Sequence, residues 1–92
     1  MNRNNINEIA EISTILADEN NSSKINNFVI EMLTKSEVET LSKRWRILKM
    51  LSEGYTQREI AKELKVSLCK VTRGAQILKK DKSIAAQYIK KG

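Results

Sequence analysis

Between residues 55 and 79 the chain reads YTQREIAKELKVSLCKVTRGAQILK. The side chains here that can do chemistry are cations and amides: Gln57, Arg58, Lys62, Lys70, Arg73 and Lys79. Such groups suit the holding of phosphates or carboxylates. Arg73, Gly74 and Ile77 fall where one turn of helix brings them together. A glycine in mid-helix costs about 1 kcal/mol relative to alanine, so something approaches the backbone at Gly74, either another helix or a ligand.

Reactive residue types are scarce elsewhere. There is no histidine and one cysteine, Cys69, which excludes an internal disulfide and leaves no material for a zinc site or a Cys–His nucleophile. The expectation is a non-enzyme without metal or cofactor. The N-terminus MNRNNINEIAEIS lacks a signal pattern, and no run approaches about 18 consecutive apolar residues. A cytoplasmic protein without membrane contact is expected.

Positioning falls to helices. With no proline, three glycines and 4% aromatic residues, the composition favours an all-α chain, and 92 residues make one small domain. The spacing of Ile6, Ile9, Ile12 and Leu16 predicts a helix over 5–18, and Ile25, Phe28, Val29, Met32 and Leu33 a second over 24–33, with Ser22 or Ser23 as its cap. TKSE at 34–37 reads as a capping box. It opens a long helix to Glu53 with the stripe Val38, Leu41, Trp45, Leu48, and Gly54 is its left-handed terminator. A domain this small buries only about 60% of its chain surface, so these wide apolar arcs predict a surface shared between subunits.

A second capping box, TQRE at 56–59, opens a short helix to Leu64; KVS turns the chain, and Ser67 caps a helix carrying Leu68, Val71, Ala75 and Leu78 inward. Two short helices joined by a three-residue turn make a helix-turn-helix over about 56–79. Lys65 stands where glycine is favoured for positive φ, at a cost of about 1 kcal/mol. Residues 81–91 predict a short closing helix, capped by Asp81 or Ser83.

Charge points the same way. Residues 1–34 carry two basic and five acidic groups, residues 35–82 thirteen against six, and Lys90 and Lys91 bring the total to +6. A basic surface confined to the middle and end is the footprint of a nucleic-acid partner. The second helix of such a motif enters the major groove N-terminus first, which puts Ser67, Cys69, Lys70 and Thr72 near base edges and leaves the amides of 68–70 for phosphates. Gln57 and Arg58 reach backbone or a guanine edge; Lys62 and Lys79 neutralise phosphates.

The run LTKSEVETLSKRWRILKMLSEGYTQREIAKELKVSLCKVTRGAQILK, 33–79, resembles the tryptophan repressor family, in which a long helix opening on Leu-Thr and bearing an arginine precedes a helix-turn-helix bearing Thr-Arg-Gly. The resemblance implies an intertwined homodimer whose reading helices are set for successive major grooves by a bound indole amino acid. By it, Arg44 and Arg73 match the arginines that sandwich the indole ring, Arg73 and Thr34 hold the carboxylate, and Gly74 gives the ring room. Ile77 departs from the family's serine, whose hydroxyl faces the ligand's ammonium, and Gln76 departs from its asparagine.

The reading is a sequence-specific transcriptional repressor on double-stranded operator DNA, regulated by L-tryptophan or a related indole carboxylate. Two others stand beside it. One is a ligand-independent helix-turn-helix DNA binder, the other a DNA-binding adaptor of a packaging or transposition complex.

Overall fold

The computed structural model describes residues 3–91, with side chains described over 6–89, so the charges of Lys90 and Lys91 lie outside it. Among the described residues there are six helices and no strand: α1 Arg3–Asp18, α2 Ser22–Met32, α3 Lys35–Ser52, α4 Gln57–Leu64, α5 Leu68–Lys79 and α6 Ile84–Lys91. The all-α expectation holds, in the predicted helix order. None of these helices is long and apolar enough to cross a membrane.

Two compact units are present, Met1–Ser36 and Glu37–Gly92. In the first, α2 starts because Asn21, in extended backbone, accepts hydrogen bonds at Oδ1 from the amides of Ser23 and Lys24 at 2.9 and 3.2 Å. The cap is therefore Asn21, not Ser22 or Ser23: its longer side chain reaches two orphan donors at once. No described residue of this unit is buried, and Ile6, Ile9, Ile15, Ile30 and Met32 are each at least half exposed.

The second unit holds the core. Ile47, Ile60, Leu64 and Val71 are buried together, with Met50, Leu51, Ala61 and Val66 packed around them. α3 ends where Gly54 turns to φ 98°, and its last carbonyls are met by Gly54 N–H on Leu51 O and Tyr55 N–H on Met50 O, both at 3.2 Å. This paired closure needs a residue that tolerates positive φ, which glycine supplies. Only the far half of the α3 stripe is covered by the chain itself. Leu48 is buried, whereas Leu41 and Trp45 remain 47% and 42% exposed.

α4 begins on the predicted capping box. Thr56 N–H donates to Glu59 Oε1 at 2.8 Å, and Glu59 N–H donates to Thr56 Oγ1 at 3.2 Å. α6 is capped by Ser83, whose Oγ accepts from Ala86 N–H at 3.1 Å.

The backbone and then the side-chain hydrogen bond to Thr56 hold the Glu59 carboxyl below the ordinary carboxylate range. A pKa lower in the folded than in the unfolded chain means that the box stabilises above the unfolded value and is lost as pH falls through the folded one. Glu59→Gln is expected to flatten the acid limb of stability against pH. Unfolding midpoints measured across and below the carboxylate range check this, and parallel wild-type and variant curves would refute it.

Candidate nucleic-acid interface

The helix-turn-helix is built from α4, a turn at 65–67 and α5. Ile60 and Val71, both fully buried, lock the two helices together, each burial worth about 1.5–3 kcal/mol. Ala61 leaves room for the crossing, and its carbonyl accepts from Val66 N–H at 3.1 Å. Lys65 adopts the left-handed conformation expected of it, with φ 56° and ψ 47°. Ser67 caps α5, its Oγ accepting from Lys70 N–H at 3.3 Å.

With this frame fixed, the outer face of α5 presents Ser67, Cys69, Lys70, Thr72 and Arg73, all exposed, and Lys79 near its end. From α4, Arg58 and Lys62 are exposed and Gln57 is half-buried. Thr72 Oγ1 donates to Gln57 Oε1 at 2.8 Å and also lies 3.0 Å from Leu68 O, tying α5 to the start of α4. Arg58, Lys62, Lys70, Arg73 and Lys79 form no ion pair among the described residues, so their charges are free for an anionic partner.

Two local expectations change. The amide of Lys70 is taken by the Ser67 cap, which leaves those of Leu68 and Cys69 for phosphates. Leu68, expected inward, is 46% exposed, because the first residue of a helix precedes the point where α5 meets the core. It stands as a large apolar group between Ser67 and Cys69 on the face that presents the cations. Its spacing from Val71 masked this; its place directly after a cap was the available signal.

Of the residues linked to a ligand by resemblance, Arg44 is exposed on α3, Arg73 is exposed on α5, and Ile77 is half-buried. Thr34 belongs to the first unit and stands immediately before α3. Gly74 is buried, and the approach it permits is to a helix: an added Cβ would lie 2.8 Å from Ile47 Cγ2, 3.4 Å from Leu48 Cδ2 and 3.5 Å from Leu51 Cδ1. Ile47, Leu48 and Leu51 continue the helical row that starts at Arg44, at offsets of three, four and seven residues. α5 therefore crosses α3 on the row to which Arg44 belongs. A separate cleft of about 310 Å³ is lined by Arg46, Lys49, Met50, Glu53, Glu63 and Leu64. It contains none of the expected site residues, and its two acids and two bases give it no net charge.

Comparison with known proteins matches residues 7–91 to the family described as Trp repressor protein. The chain belongs to the Trp repressor family. Curated relatives similar to it are Trp operon repressor homologs of Xylella fastidiosa strains M23 and 9a5c, each 49% identical over 45 residues, which is 48% of this chain and 49% of the relative. The chain thus spans about half the length of the curated relatives it matches. No solved structure matches it. Within this Trp repressor family member, Gly74 yields the sharpest prediction. Gly74→Ala gains about 1 kcal/mol of helix propensity but forces buried Ile47 aside, an overpacking cost of about 1–3 kcal/mol, so net destabilisation is expected in thermal or urea unfolding. A stabilised Gly74→Ala protein would show that the α3–α5 contact yields freely.

Proposed function

We propose that this protein is a DNA-binding transcriptional repressor, acting in the cytoplasm as a homodimer on a two-fold symmetric operator. The observation that carries it is the capped helix-turn-helix with unpaired cations on its outer face. Family membership and the charge asymmetry support the same reading.

The dimer follows from uncovered apolar surface. A first unit with no buried side chain among its described residues, together with Leu41, Trp45, Ile84 and Tyr88 left 42–69% exposed, supports completion of residues 1–92 as one domain by a second copy. In that assembly Ser67, Leu68, Cys69, Lys70 and Thr72 face bases, with Leu68 and Cys69 suited to thymine methyls. Gln57 and Arg58 reach the DNA backbone or a guanine edge, and Lys62 and Lys79 hold the register on phosphates.

The corepressor is proposed to be an indole carboxylate, its ring between Arg44 and Arg73 and its carboxylate held by Arg73 and Thr34. The α5 crossing on the row of Arg44 supports the approach of the two arginines. Ile77 accepts no hydrogen bond from an ammonium, so tryptophan itself is disfavoured relative to an indole acid lacking the amine. A ligand-independent repressor is the second reading. It is favoured by Gly74, whose lack of a side chain is already accounted for by contact with Ile47.

Selection of duplexes from a random library, with and without L-tryptophan, tests the central reading. The expected result is a two-fold symmetric consensus with half-sites about one helical turn apart, the spacing that places two helix-turn-helix units in successive major grooves. Lys70→Ala is expected to change the base preference. Lys79→Ala is expected to weaken all sequences alike and to flatten the salt dependence by about one unit. An asymmetric consensus, or a changed preference in Lys79→Ala, would reject the docking.

For the ligand, calorimetry should find that Ile77→Ser improves tryptophan binding selectively, by about 1–3 kcal/mol relative to indole acids without an amine. Unchanged relative affinities remove the role given to Ile77. If neither protein binds any indole, the ligand-independent reading stands.

A further inference from the structure

The Thr72–Gln57 contact is the cross-helix side-chain hydrogen bond on the exposed face of the motif, and it spans 15 residues. Thr72 has one hydroxyl hydrogen and two acceptors in range, Gln57 Oε1 at 2.8 Å and Leu68 O at 3.0 Å. The second contact is the ordinary local one that a helical threonine makes to its own preceding turn. The first is not local. In the structure it is the Oε1 end of the Gln57 amide that faces Thr72.

The consequence is chemical. An unrestrained glutamine presents its carbonyl or its NH₂ to a partner with equal ease, and so discriminates poorly between acceptors and donors. With Oε1 engaged by the Thr72 hydroxyl, the NH₂ group is the end left to turn away. Gln57 is also half-buried at the first residue of α4, which restricts its rotamers, and the helix dipole there favours negative partners.

We propose that Thr72 is a positioning residue that acts on DNA through Gln57, holding the amide as a donor toward hydrogen-bond acceptors on the duplex. The acceptors are phosphate oxygens or base-edge acceptors of the major groove, the O6 and N7 of guanine, the N7 of adenine and the O4 of thymine; the exposed amino groups of adenine and cytosine are rejected. This rests on the DNA-binding reading above and assigns Thr72 a part that direct contact with a base does not need.

The test uses the full chain as wild type, Thr72→Val, Thr72→Ser, Gln57→Ala and the Thr72→Val/Gln57→Ala double variant. The DNA is a duplex selected by the wild type from a random library. In the free protein, side-chain amide relaxation of Gln57 should be ordered in the wild type and in Thr72→Ser, and mobile in Thr72→Val. In binding, Thr72→Val and Gln57→Ala should each weaken affinity about five- to tenfold, the double variant no further, and Thr72→Ser should restore most of it. Methylphosphonate substitution in the backbone, and 7-deazapurine, 6-thioguanine and 4-thiothymine substitution in the bases, separate the two acceptor sources. One of them should weaken the wild type while leaving Gln57→Ala unchanged. Thermal unfolding of every variant separates loss of positioning from loss of fold.

Multiplying losses in the double variant, an amide equally mobile with and without the hydroxyl, or no acceptor substitution silenced by Gln57→Ala would each overturn the proposal while leaving DNA binding intact. A wild-type chain that binds no duplex overturns the DNA-binding reading itself, and this proposal with it.

Discussion

The close approach of α5 to α3 at Gly74 is the constraint on which the functional half of the chain rests. With less than a methyl group's clearance to Ile47, that one position sets how deeply α5 seats, and therefore where Val71 meets Ile60. Everything on the outer face inherits its placement from this contact. The cap at Ser67, the exposed Lys70 and the hydrogen bond from Thr72 to Gln57 all lie on a helix seated by buried Val71 and Gly74. A site of separately placed cations would have to order each side chain on its own, at up to about 2 kcal/mol of rotamer entropy apiece. A rigid frame lowers that demand by fixing the backbone beforehand.

The two units differ in how completely they satisfy themselves. Glu37–Gly92 has a buried cluster and short capped helices, whereas Met1–Ser36 has two helices and nothing buried among its described residues. Helices of 16 and 11 residues are marginal in water without tertiary cover. Several of their apolar residues stay exposed, and this N-terminal third carries five acidic against two basic groups.

Much of this was legible in the sequence because caps and turns are local. TQRE at 56–59 became the capping box, Ser67 the cap of α5 and Gly54 the positive-φ stop of α3, each determined by residues within a few positions of one another. What sequence spacing misjudged depended on reach or on neighbours distant in the chain. Asn21 displaced Ser22 as cap because its side chain spans two amides. Leu68 shares the period of Val71 yet lies one turn short of the core. Mid-helix Gly74 announced that something comes close but not that it is Ile47, and the Thr72–Gln57 bond joins residues whose pairing no periodicity encodes. The expected ligand and DNA residues are mostly exposed side chains, and local pattern places those on a face without saying what they touch.

Lys65 and Lys82, the two non-glycine residues with positive φ among those described, bracket the reading helix at φ 56° and 62°. Glycine would enter that conformation with less strain, but a glycine also wanders more widely in the unfolded chain and loses more freedom on folding, by about 0.4–1 kcal/mol. The strain at each lysine, about 1 kcal/mol, is thus partly offset before any contact is counted. What remains is a helix flanked on each side by a cation in a backbone bend, three residues before its first residue and three after its last. The turns that orient the reading helix are in this way also part of its electrostatic surface.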